Sequence, residues 1–160
     1  RQQKLSVRSV HSKPLSWADT LTMKNQHWAV PLIGKPWEAG QQGPDAFDCW
    51  GLLAWVYQQQ FNINLPRISV AEGDLRSQIR AFRAHPEHRH WQQVDTPKEA
   101  DALLLRQSRH PIHVGIWIET EGEAGVLHAL QGAGVVFQTL NSLKLSGWSI
   151  EGVYRCQRQQ

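Results

Sequence analysis

A single cysteine opens the most regular apolar pattern in this 160-residue chain. After Cys49, apolar side chains recur at the three- and four-residue spacing of a buried helical face, at Leu52, Leu53, Val56 and Tyr57. Asp48 precedes this pattern and is a suitable N-cap residue, because its carboxylate can accept hydrogen bonds from the unpaired N–H groups of a first helical turn. The sequence therefore predicts an amphipathic helix that begins at Cys49 and ends before the segment Asn62–Pro66.

The C-terminal part of the chain has a β pattern. Its apolar or alternating runs are short and are separated by Gly, Pro, Asn or Glu. Five of these runs are predicted as strands, namely Ala102–Leu105, Ile112–Ile118, Val126–Leu130, Val135–Leu140 and Ile150–Arg155. Further helices are predicted at Trp17–Ala29 and Val70–Phe82. The fold class is therefore α+β, with N-terminal helices packed on a C-terminal antiparallel β-sheet of about five strands.

Length and composition set the broad class of protein. Residues 1–19 are polar and are predicted as an arm or linker, and residues 20–160 have the length of a single domain. The net charge of +3 comes from scattered basic residues, which gives no nucleic-acid-binding stripe. No apolar run approaches the length of about 20 residues that spans a bilayer. No signal peptide is visible at the start, but the chain opens on Arg1 and not on methionine, so secretion stays open.

Three residues have the chemistry of a nucleophilic site. A thiolate is the reactive form of cysteine, and a helix N-terminus is expected to lower the pKa of Cys49. His113 shares one face of its predicted strand with Gly115, where the cysteine helix is expected to approach, and His128 lies in the next strand. One imidazole can take the thiol proton while the second orients it. A cysteine at a helix start is most often a small buried hydrophobe, and only the conjunction with two histidines favours catalysis.

Other candidate residues give weaker indications of function. Trp37 and Trp50 flank Cys49 and are predicted, with Asp48, to line a substrate groove, although core packing is an equal alternative for Trp50. The cluster His85, His88 and His90 has no further convincing ligand beside it, so neither a metal nor another cofactor is predicted. Cys49 and Cys156 are expected to be thiols and not a disulfide.

Six motifs in order resemble those of the NlpC-type cell-wall cysteine peptidases, a papain-like family with bacterial and bacteriophage members. They are Leu32-Ile33-Gly34-Lys35-Pro36-Trp37, Phe47-Asp48-Cys49-Trp50-Gly51-Leu52, Leu65-Pro66-Arg67, Ala100-Asp101-Ala102-Leu103-Leu104, His113-Val114-Gly115-Ile116 and Leu127-His128-Ala129. The resemblance implies that Cys49 is the nucleophile, His113 the base and His128 the residue that orients the base. It also implies a peptidoglycan hydrolase that cleaves the stem peptide between D-glutamate and the following diamino acid.

Three positions depart from the family pattern. The family commonly has Ser at the position of Trp50, often Tyr at Trp37, and usually Gly at Ala100. The Asp-Cys-Trp-Gly variant, Trp37 and the closing Ile150–Arg155 segment are more similar to the subgroup found in phage tail proteins. That similarity implies a location in a virion tail, with phage tail proteins as partners, or otherwise in the bacterial periplasm or cell wall.

Two other classes of function stay open. The chain can be a non-catalytic tail-assembly or wall-binding module that keeps the fold, although a pure scaffold has no need of a complete Cys-His-His set. It can also be an amidase or acyltransferase that acts on a substrate outside the wall.

Overall fold

A computed structural model describes residues 26–68, 89–108 and 110–158 of the chain. The predicted N-terminal arm, most of the predicted helix Trp17–Ala29, the predicted helix Val70–Phe82, and His85 and His88 lie outside the described residues. The chain divides into two compact units, residues 1–30 and residues 31–160. Every candidate site residue belongs to the second unit.

The predicted helix after Asp48 is present as α1, Cys49–Phe61. The Asp48 side chain caps it by accepting a hydrogen bond from the backbone N–H of Gly51. At the other end Asn62 adopts the left-handed conformation, with φ of 55°, and its N–H returns to the carbonyl of Gln58. Asparagine tolerates this conformation better than most residues, so the helix ends where the sequence indicates. A short 3₁₀ turn, Val30–Leu32, precedes this helix.

The sheet is antiparallel and has six strands among the described residues. The strands are β1 Trp91–Val94, β2 Ala102–Gln107, β3 His110–Ile118, β4 Gly125–Leu130, β5 Gly134–Thr139 and β6 Trp148–Cys156. Their spatial order is β1-β6-β2-β3-β4-β5. The α+β class is confirmed, and the five predicted strands correspond to β2–β6 with shifted ends. The additional strand β1 pairs with β6 at the edge of the sheet.

A second short helix, α2, covers Leu140–Leu145 directly after β5. The prediction that the last residue of this strand is Leu140 was therefore wrong by one position. Thr139 caps α2 through its side chain, and Leu143 packs into a buried cluster with strand residues that include Leu105 and Trp117. A six-residue helix is not stable by itself in water, so this packing holds α2 on the sheet.

Contacts with the sheet fix the position of α1. The helix contacts β3 and β4 directly. The buried hydroxyl of Tyr57 donates a hydrogen bond of 2.8 Å to the carbonyl of Ala100, just before β2. The next residue, Asp101, is buried and accepts two hydrogen bonds from Arg155 of β6, at 3.0 and 2.6 Å. These bonds join the helix, β2 and β6 into one frame.

Candidate active site

The loop before α1 determines how Cys49 is presented. Phe47 is fully buried, and its N–H donates to the carbonyl of Pro36 at 3.0 Å. The N–H of Asp48 donates to the carbonyl of Gln41 at 3.0 Å, so the loop folds back over the first turn of the helix. A Cβ atom at Gly51 would collide with that carbonyl of Gln41. Glycine at position 51 therefore allows the loop to hold Cys49 in place.

Each carboxylate oxygen of Asp48 accepts a hydrogen bond from a backbone N–H. One carboxylate oxygen accepts the N–H of Gly51 at 2.6 Å, and the other accepts the N–H of Gly40 at 2.9 Å. Burial raises the pKa of Asp48, and the two hydrogen bonds and the charge of Arg67 act in the opposite direction. Asp48 thus ties the helix start to the preceding loop, immediately beside the thiol.

The thiol of Cys49 lies at the first residue of α1 and against β3. Backbone N–H groups of Val114, Trp50 and Cys49 itself act on the sulfur and favour the thiolate. Burial is the larger effect, and with the charge of Asp48 it raises the pKa of Cys49 from 9.0 to about 11. The expectation of a lowered thiol pKa was therefore wrong, because desolvation outweighs the helix N-terminus.

His113 and His128 form a hydrogen-bonded pair, as their placement on neighbouring strands allows. Nε2 of His113 lies 2.9 Å from Nδ1 of His128. His113 is 8% exposed and His128 is fully buried. Burial lowers the pKa of His113 to about 3, with a smaller contribution from His128, and also lowers the pKa of His128. Both rings are therefore neutral at pH 7.

The space beside Gly115 is filled differently from the prediction. The nearest atoms to a Cβ built there belong to Val126 of β4 and Leu105 of β2. Strand side chains, and not the cysteine helix, thus use the room that this glycine leaves. The sulfur instead meets β3 at the backbone N–H of Val114, the residue that follows His113.

Two residues around the histidines were missed by the sequence analysis. Trp148, at the start of β6, lies against His113 with ring centroids 4.8 Å apart. It is nearly perpendicular to the ring of His128, with centroids 6.2 Å apart. Gln138 of β5 places its side-chain carbonyl oxygen 2.8 Å from Nε2 of His128. The alternation of β5 could have indicated Gln138, since this polar residue shares a face with Val136, which pairs with His128.

The two tryptophans predicted at a substrate groove differ in environment. Trp50 is buried, its indole N–H donates to the carbonyl of Pro66 at 2.8 Å, and its ring packs edge-on against Trp91. The core-packing alternative therefore applies to Trp50. Trp37 is half-buried and forms a parallel backbone bridge with Phe47, two residues before the cysteine. Of the two residues, Trp37 has the more exposed side chain, on a loop that is bridged to the segment before Cys49.

Neither a metal site nor a membrane helix is found in the part of the chain that the structure describes. No group of three or more potential metal-ligating side chains comes together there. No helix within the same ranges has the length and apolar content needed to cross a membrane. The chemistry available at Cys49 is thus that of a thiol at a helix start, against β3, which with β4 bears a pair of neutral imidazoles. This arrangement is suited to covalent catalysis.

The chain belongs to the NlpC/P60 family, whose sequence model matches residues 34–151. A probable endopeptidase from Haemophilus influenzae is 25% identical over 132 residues, which are 81% of this chain and 70% of that protein. A probable endopeptidase from Corynebacterium glutamicum is 48% identical over 40 residues, but that segment is only 25% of this chain and 19% of the relative.

Two solved structures share the fold. The NlpC/p60 domain of the peptidoglycan hydrolase SagA superposes with a TM-score of 0.51 at 22% identity, over 78% of this chain and 91% of that domain. NlpC2 from Trichomonas vaginalis superposes with a TM-score of 0.53 at 20% identity, over 78% of this chain and 44% of the other. At these identities the likeness establishes the fold alone.

Proposed function

We propose that this domain is a cysteine endopeptidase that hydrolyses an amide bond in the stem peptide of peptidoglycan. The single observation that carries the proposal is the placement of the Cys49 sulfur at the N–H of Val114, next to the hydrogen-bonded pair His113 and His128. Membership of the NlpC/P60 family supports a cell-wall substrate. The scissile bond that we propose joins D-glutamate to the following diamino acid.

The reaction proceeds through a thioester on Cys49. The sulfur attacks the amide carbonyl carbon while the thiol proton passes to Nδ1 of His113, and the C–N bond breaks as His113 returns this proton to the leaving amine. Water then attacks the thioester, His113 takes its proton, and the acid and the thiol are released. In this proposal the backbone N–H of Cys49 helps to stabilise the oxyanion in both steps.

The shifted pKa values of Cys49 and His113 favour transfer of the thiol proton during attack, and not a thiolate–imidazolium pair that forms beforehand. A raised thiol pKa and a lowered imidazole pKa keep both groups neutral before substrate binds. His113 therefore acts as a general base at the moment of bond formation, and its contribution is typically about 10²–10⁴-fold in rate. His128 orients the ring of His113, and Trp37 lines the approach to the sulfur.

Product analysis tests this proposal. Purified muropeptides with tri- or tetrapeptide stems are incubated with the protein and examined by mass spectrometry. We expect fragments that together gain one water, with a new free amine on the diamino acid, while a muropeptide that stops at D-glutamate stays intact. If the folded protein leaves every stem intact, the proposal fails and a binding module is favoured. If only substrates outside the wall are hydrolysed, it is an amidase or acyltransferase instead.

The biological setting is part of the same proposal. A virion tail is the location that the Asp-Cys-Trp-Gly motif at Cys49 favours, and the bacterial periplasm or cell wall is the alternative. In the first case, phage tail proteins are partners of the chain. Co-purification with tail proteins from virions would support the tail location, and its absence from assembled virions would contradict it.

A further inference from the structure

A continuous series of hydrogen bonds connects the end of α2 to the proposed base. The hydroxyl of Ser146 donates to the carbonyl of Ser142 at 3.0 Å, and the amide nitrogen of Gln138 donates to the Ser146 hydroxyl oxygen at 2.9 Å. The carbonyl oxygen of Gln138 lies 2.8 Å from Nε2 of His128. Nδ1 of His128 lies 2.9 Å from Nε2 of His113. The series thus ends at the ring that is proposed to accept the thiol proton.

The direction of the first bonds is determined at Ser146. A hydroxyl has one proton, and here it is used on the carbonyl of Ser142, which can only accept. The oxygen of Ser146 must therefore accept from Gln138, which requires the amide NH₂ group on that side. Ser142 adds a second hydroxyl oxygen at 3.3 Å from the same nitrogen. The carbonyl end of Gln138 is thereby turned towards His128.

The orientation of the Gln138 amide then determines which nitrogen carries the proton in each imidazole. A carbonyl oxygen only accepts, so Nε2 of His128 carries the proton that bonds to Gln138. A neutral imidazole has one N–H, so Nδ1 of His128 is an acceptor and Nε2 of His113 must donate to it. Nδ1 of His113 is left with its lone pair. That nitrogen is the only one on the ring able to take a proton from a thiol.

We propose that Gln138, held in one orientation by Ser146, is a positioning residue that keeps His113 in the proton-accepting tautomer. The proposal rests on the role of His113 as base in the function proposed above. Reversal of the amide would place a donor against Nε2 of His128, and the bond to His113 would then require a proton on Nδ1 of His113. A base in that tautomer cannot accept the thiol proton.

The surrounding strands and helix fix the place of Gln138 and of its partners. Gln138 pairs with Val126 across β4 and β5, and the adjacent pair on the same face is His128 with Val136. Helix α2 contains Ser142 and is followed by Ser146 as its C-cap, and it is anchored by the buried side chain of Leu143.

Nitrogen NMR of ¹⁵N-histidine-labelled full-length protein tests the proposal without any substrate. Long-range ¹H–¹⁵N spectra distinguish the two tautomers of each ring, and we expect Nε2–H for both His128 and His113 at pH 7. In Gln138→Met, which removes the acceptor, we expect a mixture of tautomers at His128. The matched control is Gln107→Met. The side-chain amide of Gln107 donates to the backbone carbonyl of Ser146 at 3.4 Å, and Gln107 is not among the hydrogen-bond partners of the two histidines.

Activity measurements add a second readout. With a stem-peptide substrate, Gln138→Met should lose about 10–100-fold in kcat with little change in KM, by analogy with the loss of partners that orient metal-bound imidazoles. Gln138→Glu, which keeps an acceptor for His128, should recover most of that loss. An Nδ1–H tautomer for His128 in the unmodified protein would overturn the proposal, as would unchanged tautomers in Gln138→Met. A protein that cleaves no wall peptide but gives the expected spectra would refute the proposed function alone.

Discussion

Acid should destabilise this fold through its buried neutral histidines. Burial lowers the pKa of His113 from 6.5 to about 3 and lowers that of His128 as well. Below pH 6.5 the unfolded chain binds protons at these positions while the native state does not. The contribution of these histidines to the free energy of unfolding is therefore fully present above pH 6.5, and it decreases as the pH falls towards 3.

The magnitude for His113 follows from its two pKa values. In the unfolded chain His113 has a pKa of 6.5, so protonation stabilises that state over nearly all of the 1.5 pH units between pH 6.5 and pH 5. Each pH unit is worth about 1.4 kcal/mol. The expected loss from this residue is about 2 kcal/mol, to which His128 adds in the same direction. The raised pKa of Asp48 acts in the opposite direction, because its native state favours the proton.

Urea denaturation at pH 7 and pH 5 measures this effect. The free energy of unfolding falls by roughly 1–3 kcal/mol per molar urea. The urea concentration at the unfolding midpoint of the wild-type protein should therefore be lower by about 1 M at pH 5 than at pH 7. His113→Gln has no group that titrates in this window, so its pH-dependent loss should be smaller by about 2 kcal/mol. The contribution of Asp48 cancels in this comparison. Equal pH-dependent losses in the two proteins would refute the assignment of a buried neutral imidazole at position 113.

Three other outcomes follow from the geometry of the site. In a Cys156→Ala background, alkylation of Cys49 by iodoacetamide should accelerate with pH beyond 9, because the thiol pKa is raised to about 11; a plateau below pH 8 would contradict this. On a stem tetrapeptide, His113→Asn should lose about 10²–10⁴-fold in rate while His128→Asn keeps measurable activity, and the reverse order, with both folded, would exchange their roles. Asp48→Ala should cost about 1 kcal/mol of unfolding free energy through loss of the helix cap, with Asp48→Asn close to wild type; equal losses in both would argue against the cap.

Elements with regular periodicity were predictable from the sequence. Helix α1 combines an N-cap, a three-and-four apolar spacing and a left-handed asparagine, so local and long-range preferences agree. Strand β1 was missed because its sequence, Trp91-Gln92-Gln93-Val94, has no clear alternation and is held by pairing with β6. Helix α2 was missed because six residues give too little periodicity, and its stability comes from Leu143 in the core.

In the candidate site, too, some features could be predicted from the sequence and others could not. The positions of His113 and His128 follow from strand alternation, which is a local property. The contacts of Trp148 and Gln138 depend on how β6, β5 and α2 come together, which no short pattern encodes. The thiol pKa was predicted in the wrong direction because a helix start is visible in sequence, whereas the burial of the Cys49 sulfur depends on the whole fold.

The rate of stem-peptide cleavage by two cysteine variants tests the central claim most directly. Cys49 and Cys156 are both half-buried residues outside any disulfide, so Cys156→Ala is a matched control for Cys49→Ala. On purified sacculi, with folding verified by circular dichroism, we predict that Cys49→Ala releases no peptide fragments and that Cys156→Ala does so at the wild-type rate. Release of fragments by folded Cys49→Ala at the wild-type rate would contradict the account.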